Sequence, residues 1–439
     1  MKMIIQGGRV LDPATGLNEP ADILIEEGRI VDIRKSGSGQ TRPDEIGLQR
    51  IDAAGKLVFP GLIDLHTHVR EPGFEYKETI RTATEAAAAG GFTTICAMPN
   101  SLPVNDNQSV TRFILNRAKA DGLVQVLPIG AITKDSKGEE LAEIGELKEA
   151  GCVAITDDGN PIAKSSMMRL AMEYAKTFGL PVIDHCEDPL LSEGGVMNEG
   201  AVSTEMGLPG IPPASEEVMV SRNLILAQET GARLHLAHIS TAGSVHLIRE
   251  AKARGVKVTA ETCPHYFSLT EEAVRGYNTN AKMNPPLRTQ KDMEAIRVGL
   301  SDGTIDIVAT DHAPHAREEK EREFSIAPFG IVGLETALCL TLMLVEDGIL
   351  TLEQAISKLT IEPAKFLGIE KGQIKVGMDA DLVVFDPAEW WVVDPAEFRS
   401  KSRNTPFAGW KLKGRVLMTL VKGVPVFTRT PISLDKREA

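Results

Sequence analysis

His66 and His68 stand one residue apart at the end of an apolar run, Val58-Phe59-Pro60-Gly61-Leu62-Ile63-Asp64-Leu65. The run reads as a buried strand marked by Pro and Gly. Side chains of a strand alternate between its faces, so positions i and i+2 point the same way. Both imidazoles therefore leave one face at the strand's end. Two neutral imidazoles so placed make half of a transition-metal site. The tripeptide alone is a weak signal, and its company downstream gives it weight.

Further apolar runs end in residues of the same chemistry. Val153–Thr156 leads into Asp157-Asp158-Gly159, Pro181–Asp184 into His185-Cys186-Glu187, and Arg233–Ala237 into His238-Ile239-Ser240. Ile305–Thr310 leads into Asp311-His312-Ala313-Pro314-His315. The chain has only 9 histidines, so their gathering at strand ends is informative. Imidazole with carboxylate suits a divalent ion, zinc first.

These residues need a scaffold that brings strand ends together. Apolar, β-branched runs recur at 93–98, 124–132, 153–156, 181–185, 233–239, 256–262 and 305–310. Helical stretches separate them, at 77–89, 108–120, 139–150, 165–178, 215–229 and 242–254. With the run before His66 there are eight strands. Strand-then-helix repetition predicts a parallel sheet, and eight units predict a closed (β/α)8 TIM-like barrel with its active groups at the C-terminal strand ends. An open doubly wound sheet is the competing fold. No Gly-x-Gly-x-x-Gly follows the first barrel-type strand, which counts against a dinucleotide binder.

Both ends of the chain look different. Met3–Ile5, Gly8–Leu11, Ala21–Ile25 and Gly28–Ile33 are short strands separated by turn signals such as Asp12-Pro13. The texture returns at Asp381–Phe385, Val416–Val421 and Val424–Phe427. The expectation is a small β-sandwich module built by both ends: residues 1–57 and 371–439 flank a catalytic barrel at 58–370.

Composition narrows the function classes. The chain has 439 residues, 42% hydrophobic, with 48 Lys plus Arg against 61 Asp plus Glu. Its net charge of −13, with no basic run, argues against a nucleic-acid partner. The 5 cysteines are scattered and form no Cys-x-x-Cys pair, which fits reduced thiols. No stretch approaches the ~18 apolar residues of a membrane span. A cytoplasmic protein is expected.

With these motifs assembled, the chain resembles the cyclic amidohydrolases of the amidohydrolase superfamily, most closely the long bacterial dihydroorotases. The resemblance rests on Pro60 through Gly73, Ala97-Met98-Pro99-Asn100, Thr156-Asp157-Asp158-Gly159, His185-Cys186-Glu187 and Ala237-His238-Ile239-Ser240. It continues through Lys282-Met283-Asn284-Pro285-Pro286-Leu287-Arg288, Ala309 through His315, Ala327-Pro328-Phe329-Gly330 and Gly377 through Val383.

The resemblance implies roles. His66, His68 and Asp311 would bind one metal, and His185 and His238 a second, so one or two zinc ions are implied. Asp158 falls where related hydantoinases carry a bridging carboxylated lysine, and its own carboxylate would bridge instead. Strand alternation allows only one of Asp157 and Asp158 to face inward, and the resemblance selects Asp158. The implied reaction is reversible closure of N-carbamoyl-L-aspartate to L-dihydroorotate in pyrimidine synthesis. A divalent ion would lower the pKa of a water from 15.7 to about 7 and polarise the ring carbonyl. Asp311 would be the general base and acid. Arg70, two residues beyond His68, offers a planar fork to a substrate carboxylate. His68, Asn100, His315, Asn284, Phe329 and Gly330 would complete the substrate contacts.

Other residues are expected to stay out of the chemistry. His265 would shape the site without ligating, His312 would point away from Asp311, and His235 and His246 would be structural. Cys186 would pack. The charged run Arg317–Glu323 reads as a solvated loop with the makings of a lid. Two rivals remain: a hydantoinase or allantoinase, and a non-catalytic subunit that scaffolds aspartate transcarbamoylase. Every expected ligand is present, which favours an enzyme. The resemblance also admits a homodimer or a complex with that transcarbamoylase.

Overall fold

The structure, a computed structural model, describes residues 2–36 and 48–429. Its strands are β1 (Lys2–Asp12), β2 (Leu17–Glu26), β3 (Arg29–Lys35), β4 (Gln49–Asp52), β5 (Leu57–Pro60), β6 (Leu62–Thr67), β7 (Phe92–Ala97), β8 (Gln125–Pro128) and β9 (Val182–Asp184). Then follow β10 (Met197–Asn198), β11 (Gly210–Ile211), β12 (Leu234–Leu236), β13 (Val258–Thr262), β14 (Ile307–Val308), β15 (Leu382–Val392), β16 (Lys411–Val421) and β17 (Val424–Thr428). The architecture is mixed α/β.

Strands from both ends share one eight-stranded sheet, in the order β17-β16-β15-β5-β1-β2-β3 with β4 also on β1. A register shift between Ile5 and Gly8 divides β1: its first half pairs with β4 and its second with β5. The sheet has a separate core of Met3, Ile5, Val10, Ile23, Ile25, Val58, Leu382 and Val384. The run before His66, read from sequence as one strand, is two. Leu57–Pro60 joins this end sheet through β15, while Leu62–Thr67 pairs with β7. Gly61 makes the handover possible, because a Cβ there would lie 2.2 Å from the Thr93 hydroxyl.

Outside the end sheet and the short parallel pair of β10 with β11, the strands fall into two parallel runs, β6-β7-β8 and β9-β12-β13-β14. Single parallel bridges join them: Gly130 to Ile155, Ile155 to Val182, and Thr67 to His312. The expected strand at 153–156 is thus reduced to a bridge at Ile155. Its backbone still bonds both neighbours, Thr156 N–H to the Gly130 carbonyl and Ile183 N–H to the Ile155 carbonyl, each at 2.9 Å.

Two helices start later than expected. Ile80–Gly90 begins after Thr79, whose hydroxyl accepts from the Thr82 amide as an N-cap. Ile144–Ala150 begins late because Thr133 bridges Leu141, keeping the preceding residues extended. Among the described residues no helix is long and apolar enough to cross a membrane.

Candidate active site

The alternation rule places His66 and His68 on one face, their ring centroids 5.4 Å apart. Each is fixed from outside through Nδ1. His66 Nδ1–H donates to Glu261 Oε1 at 2.8 Å, and His68 Nδ1–H donates to Asn100 Oδ1 at 2.9 Å. Both Nε2 atoms are then left as lone-pair donors facing the centre. Asp158 lies between the histidines. Its carboxylate oxygens are 3.4 Å from His66 Nε2, 3.6 Å from His68 Nε2, 3.7 Å from His185 Nδ1 and 3.5 Å from His238 Nε2. Burial pushes this carboxyl up, but the surrounding imidazoles, His66 foremost, hold it well below the usual carboxylate range.

Asp157 faces the other way, as alternation requires. It accepts from the backbone amides of Ile132 and Thr133 at 2.8 and 3.1 Å and from the Thr133 hydroxyl. His185 Nδ1 is 2.9 Å from His238 Nε2, and His185 Nε2–H donates to Glu187 at 3.1 Å. Asp311 Oδ1 is 3.0 Å from His68 Nε2 and 3.5 Å from His66 Nε2. All six of these inward-facing groups are buried, and His66 Nε2, Asp158 Oδ1 and His238 Nδ1 have no hydrogen-bond partner among the described residues. Buried polar atoms normally find partners. His66 and His68 with Asp158, His66 and His238 with Asp311, and Asp158 with His185 and His238 are each spaced to share one ion. The donor set fits a divalent metal.

Backbone geometry sharpens the convergence. Arg70, His238 and Asp311 have φ of 62°, 33° and 45°. Non-glycine residues hold left-handed conformations at a cost, and such residues gather at functional sites. The strand ends at Thr67, so alternation does not bring Arg70 inward; the left-handed turn does. Burial lowers its guanidinium to about 10 against the attraction of Asp311 and Asp158. Its Nε–H donates to the Pro314 carbonyl at 3.2 Å.

Arg70, Asn100, Asn284, His315, Phe329 and Gly330 line one cavity with His68, Asp158, His185, His238 and Asp311, about 320 Å³ in volume. His315 Nε2–H donates to the Phe329 carbonyl at 2.7 Å, and Lys77 donates to its Nδ1 at 3.3 Å. Burial and the charges of Arg70, Lys77 and Lys320 keep this imidazole neutral. Gly330 has φ 149°, and a Cβ there would lie 2.7 Å from the Ala313 carbonyl oxygen. Asn284 Nδ2 donates to Glu187 at 2.6 Å, tying the Asn284 wall to the His185 side.

The remaining histidines take different places. His312 turns from the centre, 3.4 Å from Glu78. His235 packs against Glu261 and Thr259, and His246 is exposed beside Glu250. Cys186 is buried, its thiol pushed well up by burial. His265 is buried with Nε2 unpartnered among the described residues, near Cys263 and Asp311. The charged run departs from expectation: Arg317–Lys320 is a helix, Glu319 pairs with Lys77 at 3.0 Å, and Lys320 is buried. Backbone carbonyls, invisible in a list of side chains, are what accept that charge.

Sequence reasoning missed Asp64, Glu261, Glu187 and Asn404 as supports. Asp64 accepts from the amides of His66 and Thr310, joining β6 to the Asp311 segment. Asn404 bonds the His315 amide, the Ala313 carbonyl and the Gly330 carbonyl. For Asp64 and Glu261 a signal existed: each is a lone acid inside an apolar strand.

The chain compares closely with known proteins. A dihydro-orotase-like family model matches residues 55–244, and an amidohydrolase family model matches 226–427. The dihydroorotase of Syntrophus aciditrophicus (strain SB) is 55% identical over 427 residues, 97% of this chain and 99% of that one. That of Citrifermentans bemidjiense is 56% identical, covering 97% of this chain and all of its own. Among solved structures, the L-hydantoinase (dihydropyrimidinase) from Arthrobacter aurescens superposes with TM-score 0.86 at 27% identity, over 98% of this chain and 97% of that one. Near-full-length identity above one half, with the site geometry intact, places this chain in the dihydroorotase family of the amidohydrolases.

Proposed function

We propose that the chain catalyses the reversible ring closure of N-carbamoyl-L-aspartate to L-dihydroorotate in pyrimidine synthesis. The observation that carries this reading is Asp311 held 3.0 Å from His68 Nε2 in a cavity that Arg70 also lines. In this reading His66, His68, Asp158, His185, His238 and Asp311 would hold one or two zinc ions. Bound there, the metal supplies a polarised ring carbonyl and a more acidic water. The Asp311 carboxylate then takes the proton of the attacking water and returns it to the leaving ring nitrogen. In the closing direction it removes the amide proton. Arg70 binds the substrate carboxylate, while Asn100, His315, Asn284 and the Phe329–Gly330 backbone orient the ring amides. His68 Nδ1 meets Asn100, so the metal wall and the substrate wall share that contact.

The same reading takes the ring of parallel pairings from β6 through β14 and back to Thr67 as a (β/α)8 barrel. Because Leu57–Pro60 lies in the end sheet, the catalytic domain of this reading begins at Leu62 rather than at 58 and runs to 370, and the described residues of 2–60 and 371–429 make the β module. Association as a homodimer or with aspartate transcarbamoylase belongs to this proposal, and sedimentation of the chain alone and with that partner tests it.

Purified, metal-analysed protein incubated with L-dihydroorotate tests the reaction. Loss of ultraviolet absorbance that stops on chelation and returns with zinc is expected. Turnover of hydantoins but not dihydroorotate by the fully loaded protein would refute the substrate.

A further inference from the structure

The segment Phe324–Gly330 ends in Pro328, Phe329 and Gly330, which form one wall of the cavity, and no helix or strand spans it. Two ammonium groups hold it instead. Lys282 Nζ donates to the carbonyls of Phe324 and Ser325 at 2.6 and 3.1 Å. Lys320 Nζ donates to those of Pro328 and Gly330 at 2.8 and 3.2 Å. The Gly330 amide returns a bond to the Lys282 carbonyl at 2.9 Å, and Lys282 Nζ sits 4.6 Å from the centre of the Phe329 ring. The two lysines are 2% and 5% exposed, and among the described residues neither pairs with a carboxylate. Glu319, the acid whose charge acts on Lys320, is engaged by Lys77 and by the Tyr76 hydroxyl.

Burying an ammonium group without a counter-ion is costly. Carbonyl dipoles offset that cost here, and every one of the four belongs to the wall segment. A core built for stability alone would place an apolar side chain at such positions. We infer that Lys282 and Lys320 are positioning residues that clamp the 324–330 wall so that Phe329 and Gly330 meet the substrate ring; this rests on the function proposed above.

Protonation bears on the clamp. Burial lowers Lys282 to about 8. Burial and the charge of Lys282 lower Lys320 to about 7, opposed by Glu319 on its own helix. His315, which faces Lys320 from the neighbouring strand end, is neutral and adds no charge. A neutral amine donates a weaker bond than an ammonium, so the wall loosens as pH rises through this range.

The test compares wild type, K320M and K282M by dihydroorotate kinetics and by amide hydrogen exchange of residues 324–330, all metal-loaded. K320M should raise KM about tenfold with kcat changed less than about threefold, the signature of lost binding geometry. Protection factors of the 324–330 amides in the wild type should fall about tenfold between about pH 6.5 and 9 while core amides keep theirs, and K320M should show the low protection already at the lower pH. Wild-type KM and wild-type protection in K320M would overturn the inference. Should K320M not fold, K282M and the wild-type profile decide, and pH-invariant protection of the wall would overturn it. A loaded wild type that leaves dihydroorotate intact would refute the function instead, while the exchange data still judge the clamp.

Discussion

Glu261 accepts a hydrogen bond from His66 Nδ1 at 2.8 Å, joining β13 to β6 across 195 residues of sequence. The same carboxylate lies 3.1 Å from His235 Nε2. It therefore fixes the His66 tautomer, and its other oxygen, the one near His235, makes no hydrogen bond among the described residues. An outer partner of this kind is typically worth 10–100-fold in metal affinity or activity, so E261A should weaken zinc retention by about that range. Competition with a chromophoric chelator reads this directly. Retention equal to wild type would remove Glu261 from the support of the site.

Asp311 is the only one of the two inward carboxylates assigned a proton to carry. D311N keeps the side chain's shape and its contact with His68 but cannot accept a proton. Turnover should fall by about 10²–10⁴-fold, the usual range for a lost general base, with the circular dichroism spectrum unchanged. Activity within a few-fold of wild type, at full metal content, would take Asp311 out of proton transfer.

Much of this site is legible in the sequence, and the reason is the period of two. It puts His66 with His68 on one face, and it separates Asp158, among four imidazoles, from Asp157, bonded to the Thr133 loop. What eluded the sequence lies in pairings without local pattern. Asp64 meets Thr310 246 residues away, and Asn404 reaches His315 from the C-terminal segment. Arg70 reaches the cavity by a left-handed turn that strand alternation cannot anticipate. Lys320 looked like one more charge on a solvated run because its acceptors are main-chain oxygens. Boundaries shifted where a single contact decided them, as at Gly61, where the Thr93 side chain leaves no room for a Cβ.

Arg70 has its Nε engaged by the Pro314 carbonyl and lines the cavity near Asp311. A charge-assisted bond to a carboxylate is worth about 1.5–3 kcal/mol, so R70A should raise KM for N-carbamoyl-L-aspartate about 10–100-fold. The effect on kcat should be smaller, because the contact is made in ground and transition states alike. Initial rates in both directions separate the two constants. An unchanged KM would assign substrate-carboxylate binding elsewhere.

Glu335 offers a prediction on stability away from the chemistry. Its Oε1 accepts from the backbone amides of Arg399 and Ser400 at 2.8 and 3.1 Å. Burial nevertheless raises its pKa from 4.5 to about 7. The folded state thus keeps this proton where the unfolded chain has lost it. Between these two values the folded protein binds more protons, so the contribution of Glu335 to stability falls as pH rises and is fully lost above the folded value. E335Q removes the titration. The difference in melting temperature, mutant minus wild type, should therefore move in the mutant's favour between about pH 5 and pH 8. Thermal unfolding of both proteins across that interval measures it; a difference that stays flat with pH would mean that Glu335 ionises in the folded protein as it does in the unfolded chain.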